Sequence, residues 1–524
     1  MNKTHQARCV LNKCTPMNAG LPNLIQGLLR PEAFPHRVDV LRVQETHISW
    51  VLLTGQRAYK IKKPIRLDFL DYSTLERRRA CCELELQLNQ RLAPELYLDV
   101  VPISGPPERP RVDRRGPAIE YAVRMREFPQ DCLASRMIER GAFGPREIDQ
   151  LAETVSSFHK SAAVAECSSR FGTPTVIRRE AFENLDVLER LTDDRQLQEK
   201  LLQLRNWTAS ACESHAMQFA KRLETGQVRE CHGDMHLGNM ALYEGRIVVF
   251  DGIEFSDELR WMDVISEASF VVMDLDERGR IDLARRFLDA YLSGTGDYHG
   301  LAVCRFYLVY RALVRAKVTA IQLAQKPTDD ADTPAATVKL RAYIDLAVAL
   351  TTSDAPRLTI THGPSGSGKT TGTQPLLEKT GAVRVRSDIE RKRLAGIRTG
   401  DPAIAPPGAG IYTDEWTRLT YDRLADCTRR ILAAGFPVIV DATFLDRRQR
   451  NRFRRLAAEH GVPFEILDFT INEQKLRQRV AERRRLGHDT SDADEQVLTR
   501  QLQSRDPLSD SERQLVVQTA QDVN

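Results

Sequence analysis

The sequence predicts a multidomain chain in two halves: an α+β half made of a small sheet followed by a helical region, and an α/β half built on a parallel sheet. Three observations carry this. Short strand-like runs crowd residues 38–62 and give way to helical periodicity over about 145–225. Beyond about residue 356 strand and helix alternate, the grammar of a parallel sheet covered on both faces. At 524 residues the chain exceeds one hydrophobic core, and about 100–200 residues per domain gives three or four folding units.

The elements follow in order. Residues 1–34 read as a lead-in punctuated by proline and glycine, ending in the apolar segment Leu21–Leu29. Strands are expected at Val38–Val43, Ile48–Leu53 and Ala58–Lys62, with a turn at Thr54-Gly55. A helical pattern from about Ser73 to Leu92 stops at Ala93-Pro94, and two more strands, Leu98–Ile103 and Ile119–Met125, flank the loop Gly105–Gly116. Helices dominate from about 145 to 225, and a strand-loop-strand unit at 228–251 precedes helices near 261–275, 280–292 and 301–325. A small lobe at about 35–128 and a large lobe at about 129–325 make up the first domain; a loop, helix and linker span 326–356, and the second domain spans 357–524. In that second domain strands are expected at Leu358–Thr361, Val383–Arg386, Val438–Asp441 and Phe464–Phe469, with helices opening at Lys369, Asp388, Arg447 and Glu473.

Composition excludes several classes. Hydrophobic residues at 42% and charged residues at 28% describe a globular chain, neither disordered nor fibrous. A net charge of +4 is nearly neutral for this length and gives no argument for nucleic acid or an anionic membrane as partner. The ten cysteines form no CxxC pair and no zinc-spaced cluster, so free thiols are expected. No secretory signal or run of roughly 18 apolar residues occurs, which points to the cytoplasm and away from membranes.

Two phosphate-transfer signatures stand out. The firmer is Gly363-Pro364-Ser365-Gly366-Ser367-Gly368-Lys369-Thr370, followed by Thr371, between an apolar strand and a helix. Its glycines let the backbone N–H groups face the phosphates of ATP, Lys369 neutralises the β/γ oxygens, and the Thr370 hydroxyl suits Mg2+. Asp441 closes the apolar strand that begins at Pro437, where a carboxylate organises the shell of the metal. Asp388 opens a helix with Arg391 one turn on. A kinase needs such a carboxylate to orient the acceptor hydroxyl and a cation to hold an anionic acceptor; the competing reading of Asp388 is a helix cap.

These pieces resemble the P-loop kinases of the polynucleotide-kinase-like group, the AAA-33 family, over about residues 356–510. The resemblance implies that Asp388 and Arg391 meet the acceptor and that Arg479 and Arg483 sit in a lid over the ATP phosphates, with Arg477, Arg484 and Arg485 competing for that role. Six arginines between 447 and 455 keep nucleic acid open as an acceptor, although a solvated helix face is the stronger reading.

The other signature is His232-Gly233-Asp234 with Asn239 five residues on and Asp251 at the end of an apolar strand. One carboxylate orients the acceptor hydroxyl, while the amide oxygen and the second carboxylate hold Mg2+ against the phosphates. Asp234 is the expected base; Asn239 and Asp251 are the expected metal ligands. Such a site also needs a strand lysine fixed by a helix glutamate. Lys60 and Lys62 lie on one strand face, and Glu83 and Glu85 follow on the helix, so alternation leaves the pair open.

This half resembles the aminoglycoside phosphotransferase family, which has the protein kinase-like bilobal fold, over about residues 35–320; Leu151–His159 is similar to the helix before that family's acceptor region. The resemblance favours Lys62 with Glu85 for the phosphates and raises Glu254 as a further metal carboxylate. The glycine-rich loop of protein kinases is absent, and Gly233 replaces the arginine they carry, which points to small-molecule kinases. The whole chain, including His47–Trp50 and Arg311–Lys317, resembles bacterial fusions of the two domain types. It implies a bifunctional ATP- and Mg2+-dependent phosphotransferase acting on small-molecule hydroxyls; the alternative makes the N-terminal half an ATP-binding regulatory module and the P-loop half the kinase, with nucleic-acid 5′-hydroxyl ends as candidate acceptors. Oligomeric state is not legible.

Overall fold

The computed structural model describes residues 21–67, 70–325, 333–352, 355–398, 411, 413–469, 471–486 and 495–517. Most of the expected lead-in, part of the 326–356 connection and the Arg483 side chain lie outside the described residues. The chain divides into two compact units, one running up to Pro129 and including Glu254–Ser256, the other holding Gln130–Ile253 and the residues from Asp257 on.

The first unit is built on a six-stranded antiparallel sheet in the order Arg42–Glu45, Ser49–Leu53, Arg57–Lys62, Ala118–Arg126, Tyr97–Ser104, Arg111–Val112. The first strand begins later than the apolar pattern suggests, because Val38 and Leu41 pack as irregular chain against the core. Trp50, Leu52, Tyr59, Ile61, Val101 and Ile103 form that core together with Ile25 and Leu28 of the short helix Asn23–Leu28. Gly27 lets this helix approach closely: a Cβ there would lie 2.3 Å from the Pro107 carbonyl. The helix Leu75–Asn89 is capped by Thr74, whose side chain accepts the Arg77 N–H, and it buries Cys82, Glu85 and Leu88.

The second unit joins a helical region to a four-stranded parallel sheet. Pro145 and Pro174 open the helices Pro145–Ser161 and Pro174–Leu191, and Asp194 caps Arg195–Ser214. The strand pair Val228–Glu230 with Trp261–Asp263, and the hairpin Met240–Tyr243 with Arg246–Val249, frame the loop at 231–239. The parallel sheet runs Val383–Arg386, Val438–Asp441, Leu358–His362, Phe464–Asp468. The helix Asp414–Ala433 is additional to the expected elements: its buried face includes Thr420, Cys427 and Thr428, which dilute the apolar stripe that periodicity needs.

The helix Ile281–Thr295 packs on Pro145–Ser161 and also on the P-loop helix Lys369–Thr380. Asp289, 5% exposed, accepts the Arg384 backbone N–H at 2.6 Å. Arg384 in turn donates to the Thr370 carbonyl at 2.7 Å and the Thr373 hydroxyl at 3.1 Å. Among the described residues no helix is long and apolar enough to cross a membrane, and every described cysteine is a free thiol.

Candidate active sites

In the first unit, strand alternation puts Lys60 and Lys62 on one face, and Glu85 reaches both: Oε1 accepts from Lys60 at 2.8 Å and Oε2 accepts from Lys62. The expected Lys62–Glu85 pair exists, but Lys60 shares it. Lys62 is completely buried and also donates to Glu254, whose carboxylate accepts the Tyr72 hydroxyl as well. Burial opposes the charge on Lys62, but Glu254 and Glu85 outweigh it and hold the amine well above its usual range. Glu254 is therefore engaged by Lys62 and Tyr72, not standing as a spare metal carboxylate.

In the second unit, His232 ties the 231–239 loop to the segment Phe250–Ile253. Its ring Nε2–H donates to the Phe250 carbonyl at 2.9 Å, its Nδ1 accepts the Asp234 N–H at 3.3 Å, and its carbonyl accepts the Ile253 N–H. This needs a neutral imidazole, and burial pulls the His232 pKa below its usual value. Gly252 is required beside it, since a Cβ would meet the ring at 3.0 Å. Asp251 holds a left-handed backbone, φ +62°, a strained state that clusters at functional positions.

Asn239 Nδ2 donates to both the backbone oxygen and Oδ2 of Asp234, each at 3.0 Å. Its amide oxygen accepts no hydrogen bond from a described residue and stays available as a ligand. The Asp234 side chain is 37% exposed. Desolvation raises its pKa, but His236 and then Arg315 outweigh it and hold the carboxyl below the ordinary range.

Glu267, fully buried, fixes this loop and was not singled out from sequence. It accepts the backbone N–H groups of His232 and Gly233 at 3.1 and 2.7 Å and bonds His159 Nε2 at 2.9 Å, while His159 Nδ1 meets the Tyr291 hydroxyl at 2.8 Å. Burial pushes the Glu267 carboxyl up, yet these bonds prevail and hold it at about 2. The available signal was a lone glutamate in the apolar run Val264–Val272. Asp274 adds a second anchor, accepting the Leu237 N–H at 2.8 Å.

The P-loop signature curls as expected. Gly363, Gly366 and Gly368 take φ of +148°, +83° and +88°. Lys369 donates to the carbonyls of Gly363 and Pro364 at 3.0 and 2.8 Å. The Thr370 hydroxyl donates to Asp441 Oδ2 at 2.6 Å, so the two expected metal groups meet. Ser365 N–H donates to Gln501 at 2.9 Å, a contact not anticipated from sequence, and Ser367 Oγ is buried with no hydrogen-bond partner among the described residues. Pro364 lies within the loop and Thr371 in the first turn of the helix Lys369–Thr380. Arg479 is exposed, with Nη1 3.4 Å from a Cβ built on Gly368, whereas Arg477 pairs with Glu473.

The acceptor-side pair differs from expectation. Asp388 lies in the first turn of Ser387–Leu394, half-buried, and no described residue bonds its carboxylate; the cap position belongs to Arg386. Arg391 is buried and donates to the Ile411 carbonyl at 2.8 Å, so its guanidinium braces chain instead of standing open beside Asp388. In the arginine-rich helix Arg447–Glu459, Arg450 is 1% exposed and locked to Glu512, and Arg452 pairs with Asp422, leaving a smaller basic face than six arginines suggest.

Comparison with known proteins places both signatures. Residues 139–304 match the phosphotransferase enzyme family and residues 358–508 match an AAA domain family. An uncharacterized protein of Mycobacterium tuberculosis is 32% identical over 420 residues, 80% of this chain and 81% of that protein. The chain belongs to the same family as this mycobacterial protein, and it joins a phosphotransferase-family domain to an AAA domain. Its phosphotransferase domain carries Asp234, Asn239 and Asp251, and its AAA domain carries the P-loop. An adenylate kinase of Thermobifida fusca is 31% identical over 140 residues, 26% of this chain and 71% of that enzyme. Among solved structures, a choline/ethanolamine kinase family protein of Mesorhizobium loti is similar at TM-score 0.37 and 14% identity, covering 60% of this chain and 92% of that one. Kinase-like families of this kind use ATP with a divalent metal.

Proposed function

We propose that the chain is a bifunctional ATP-dependent kinase, each domain moving the γ-phosphate of ATP to a hydroxyl of a small molecule. One observation supports this above the others: each domain sets an acidic residue near oxygen donors suited to Mg2+. In the phosphotransferase domain the half-buried Asp234 carboxylate is bonded to Asn239, and in the AAA domain Thr370 meets Asp441 while Asp388 stays unbonded by any described residue.

Asn239 with Asp251, and Thr370 with Asp441, are hard oxygen ligands fitting Mg2+. When bound, the ion neutralises charge on the phosphate oxygens. Lys62 with Glu85, and Lys369, would neutralise phosphate charge in the two domains; Lys60 shares the first role, Arg479 covers the second, and Arg391 shapes the acceptor side. Asp234 and Asp388 orient the acceptor hydroxyl and take its proton as the new O–P bond forms and the bond from the γ-phosphorus to the bridging oxygen breaks, leaving ADP. With its carboxyl held below the usual range, Asp234 is ionised at neutral pH and serves first as an orienting acceptor.

The test is an untargeted search for phosphorylated products after incubating the pure chain with ATP, Mg2+ and a metabolite pool. Asp234→Ala and Asp388→Ala should each remove a different product. If both substitutions leave every product unchanged, the proposal fails.

A further inference from the structure

A cavity of about 490 Å3 opens in the second unit away from both signatures; none of Asp234, Asn239, Asp251, Asp388 or the P-loop lines it. Its walls carry Lys160, Lys221, Arg222 and Arg229 against one carboxylate, Asp297, with Tyr291 also lining it. Arg222, 4% exposed, is shared between Asp263 at 2.5 and 2.7 Å and Asp297 at 2.7 and 3.0 Å, so this cation and the one acid among the lining residues are held by each other and the remaining cations decide what the cavity can take.

The other three cations lack a comparable partner. Arg229 donates to the neutral carbonyls of Gly226, His159, Lys160 and Ala162, and to no described carboxylate. Lys160 has no ion pair among the described residues. Lys221 has only Glu224 at 3.3 Å, a pair more than half exposed on both sides and therefore weak. Arg393, from the AAA domain, lies against the same wall, 2.6 Å from a Cβ built on Gly296. Partial burial and then the Arg393 charge hold the Lys160 amine below its usual range, the sign of cations waiting for an anion.

We propose that this cavity binds a small phosphorylated molecule, its phosphate held by Lys160, Lys221 and Arg229. The volume is that of an ordinary small-molecule site, and phosphate oxygens supply several acceptors for otherwise unneutralised donors. The site is separate from both proposed active sites, and its wall holds His159 and Tyr291, which stand behind Glu267 and the Asp234 loop.

The test uses the full chain carrying Lys369→Ala, to disable the P-loop, in EDTA, titrated with inorganic pyrophosphate in a calorimeter. Saturable binding at one site is expected. Adding Lys160→Glu and Lys221→Glu should weaken it at least about tenfold, since two charge-assisted contacts are reversed, while Lys160→Arg with Lys221→Arg should retain it. Both lysines are exposed, so the reversal should leave the unfolding temperature in place. No saturable binding in the parent, or equal binding by the charge-reversed chain, overturns the proposal.

Discussion

Glu267→Gln isolates what holds the phosphotransferase loop in shape. The carboxylate accepts two backbone N–H groups, from His232 and Gly233, and one bond from His159. A glutamine of the same size keeps one accepting oxygen and turns an NH2 group toward donors, so at least one buried N–H loses its partner. Holding the Glu267 carboxyl at about 2 from an ordinary 4.5 reports the strength of these bonds. At about 1.4 kcal/mol per pH unit this is roughly 3 kcal/mol favouring the ionised form. Urea unfolding of the full chain at pH 7 should show the second unit destabilised by about 2–3 kcal/mol. Product formation that depends on Asp234 should fall at least tenfold, while product that depends on Asp388 should change little. An unchanged unfolding midpoint together with unchanged Asp234-dependent turnover would refute the assignment of Glu267 as the anchor of this loop.

Arg450→Ala should cost about 3–5 kcal/mol in the same unfolding assay, because it leaves buried Glu512 without its guanidinium and frees the carbonyls of Phe444 and Leu445. Thr370→Ala should weaken nucleotide binding to the AAA domain more in the presence of Mg2+ than in EDTA, measured by calorimetry; an equal loss in both would place the hydroxyl away from the metal. Glu180 is raised to about 7, by burial first and against the pull of Arg311. The cost of ionising it therefore grows as pH rises from about 4.5 and is complete above about 7, so Glu180→Gln should be more stable than wild type at pH 8, with the gain vanishing toward pH 4.5 in thermal unfolding scans. Lys62→Met should abolish Asp234-dependent transfer, whereas Lys60→Met should reduce it less, read as initial rates at saturating ATP.

How much of this was legible in the chain depends on the range of the interaction. The P-loop and the His232 to Asp251 signature are local, because turn glycines, a strand end and a carboxylate lie within a few residues of one another. The lysine was half legible: period-two alternation correctly put Lys60 and Lys62 on one face, and the same alternation is why both reach Glu85. Contacts across long separations were not legible. Three residues of helix spacing between Asp388 and Arg391 say nothing of Ile411, whose carbonyl takes one N–H of the Arg391 guanidinium. Glu254 looked like a metal ligand because sequence cannot show that Lys62, 192 positions earlier, takes it. The helix Asp414–Ala433 escaped notice because threonines and a cysteine fill part of its buried face.

The bond from Asp289 to Arg384 bears on how such a chain can be taken apart. The helix Ile281–Thr295 belongs by sequence to the phosphotransferase domain, yet its Asp289 caps a strand edge of the AAA sheet, and Tyr298 and Arg393 meet at buried Glu390 nearby. Cutting the polypeptide near residue 355 would leave Asp289 and Tyr298 facing water on one fragment, and on the other would strip the Arg384 N–H of its acceptor and Glu390 of the Tyr298 hydroxyl. Inactivity of an isolated fragment would then report damage, not dependence, so point substitutions in the intact chain are the sound way to silence one site. The same matched surface limits inheritance: a gene rearrangement that exchanged either half for a homologue would have to carry both faces of this seam together.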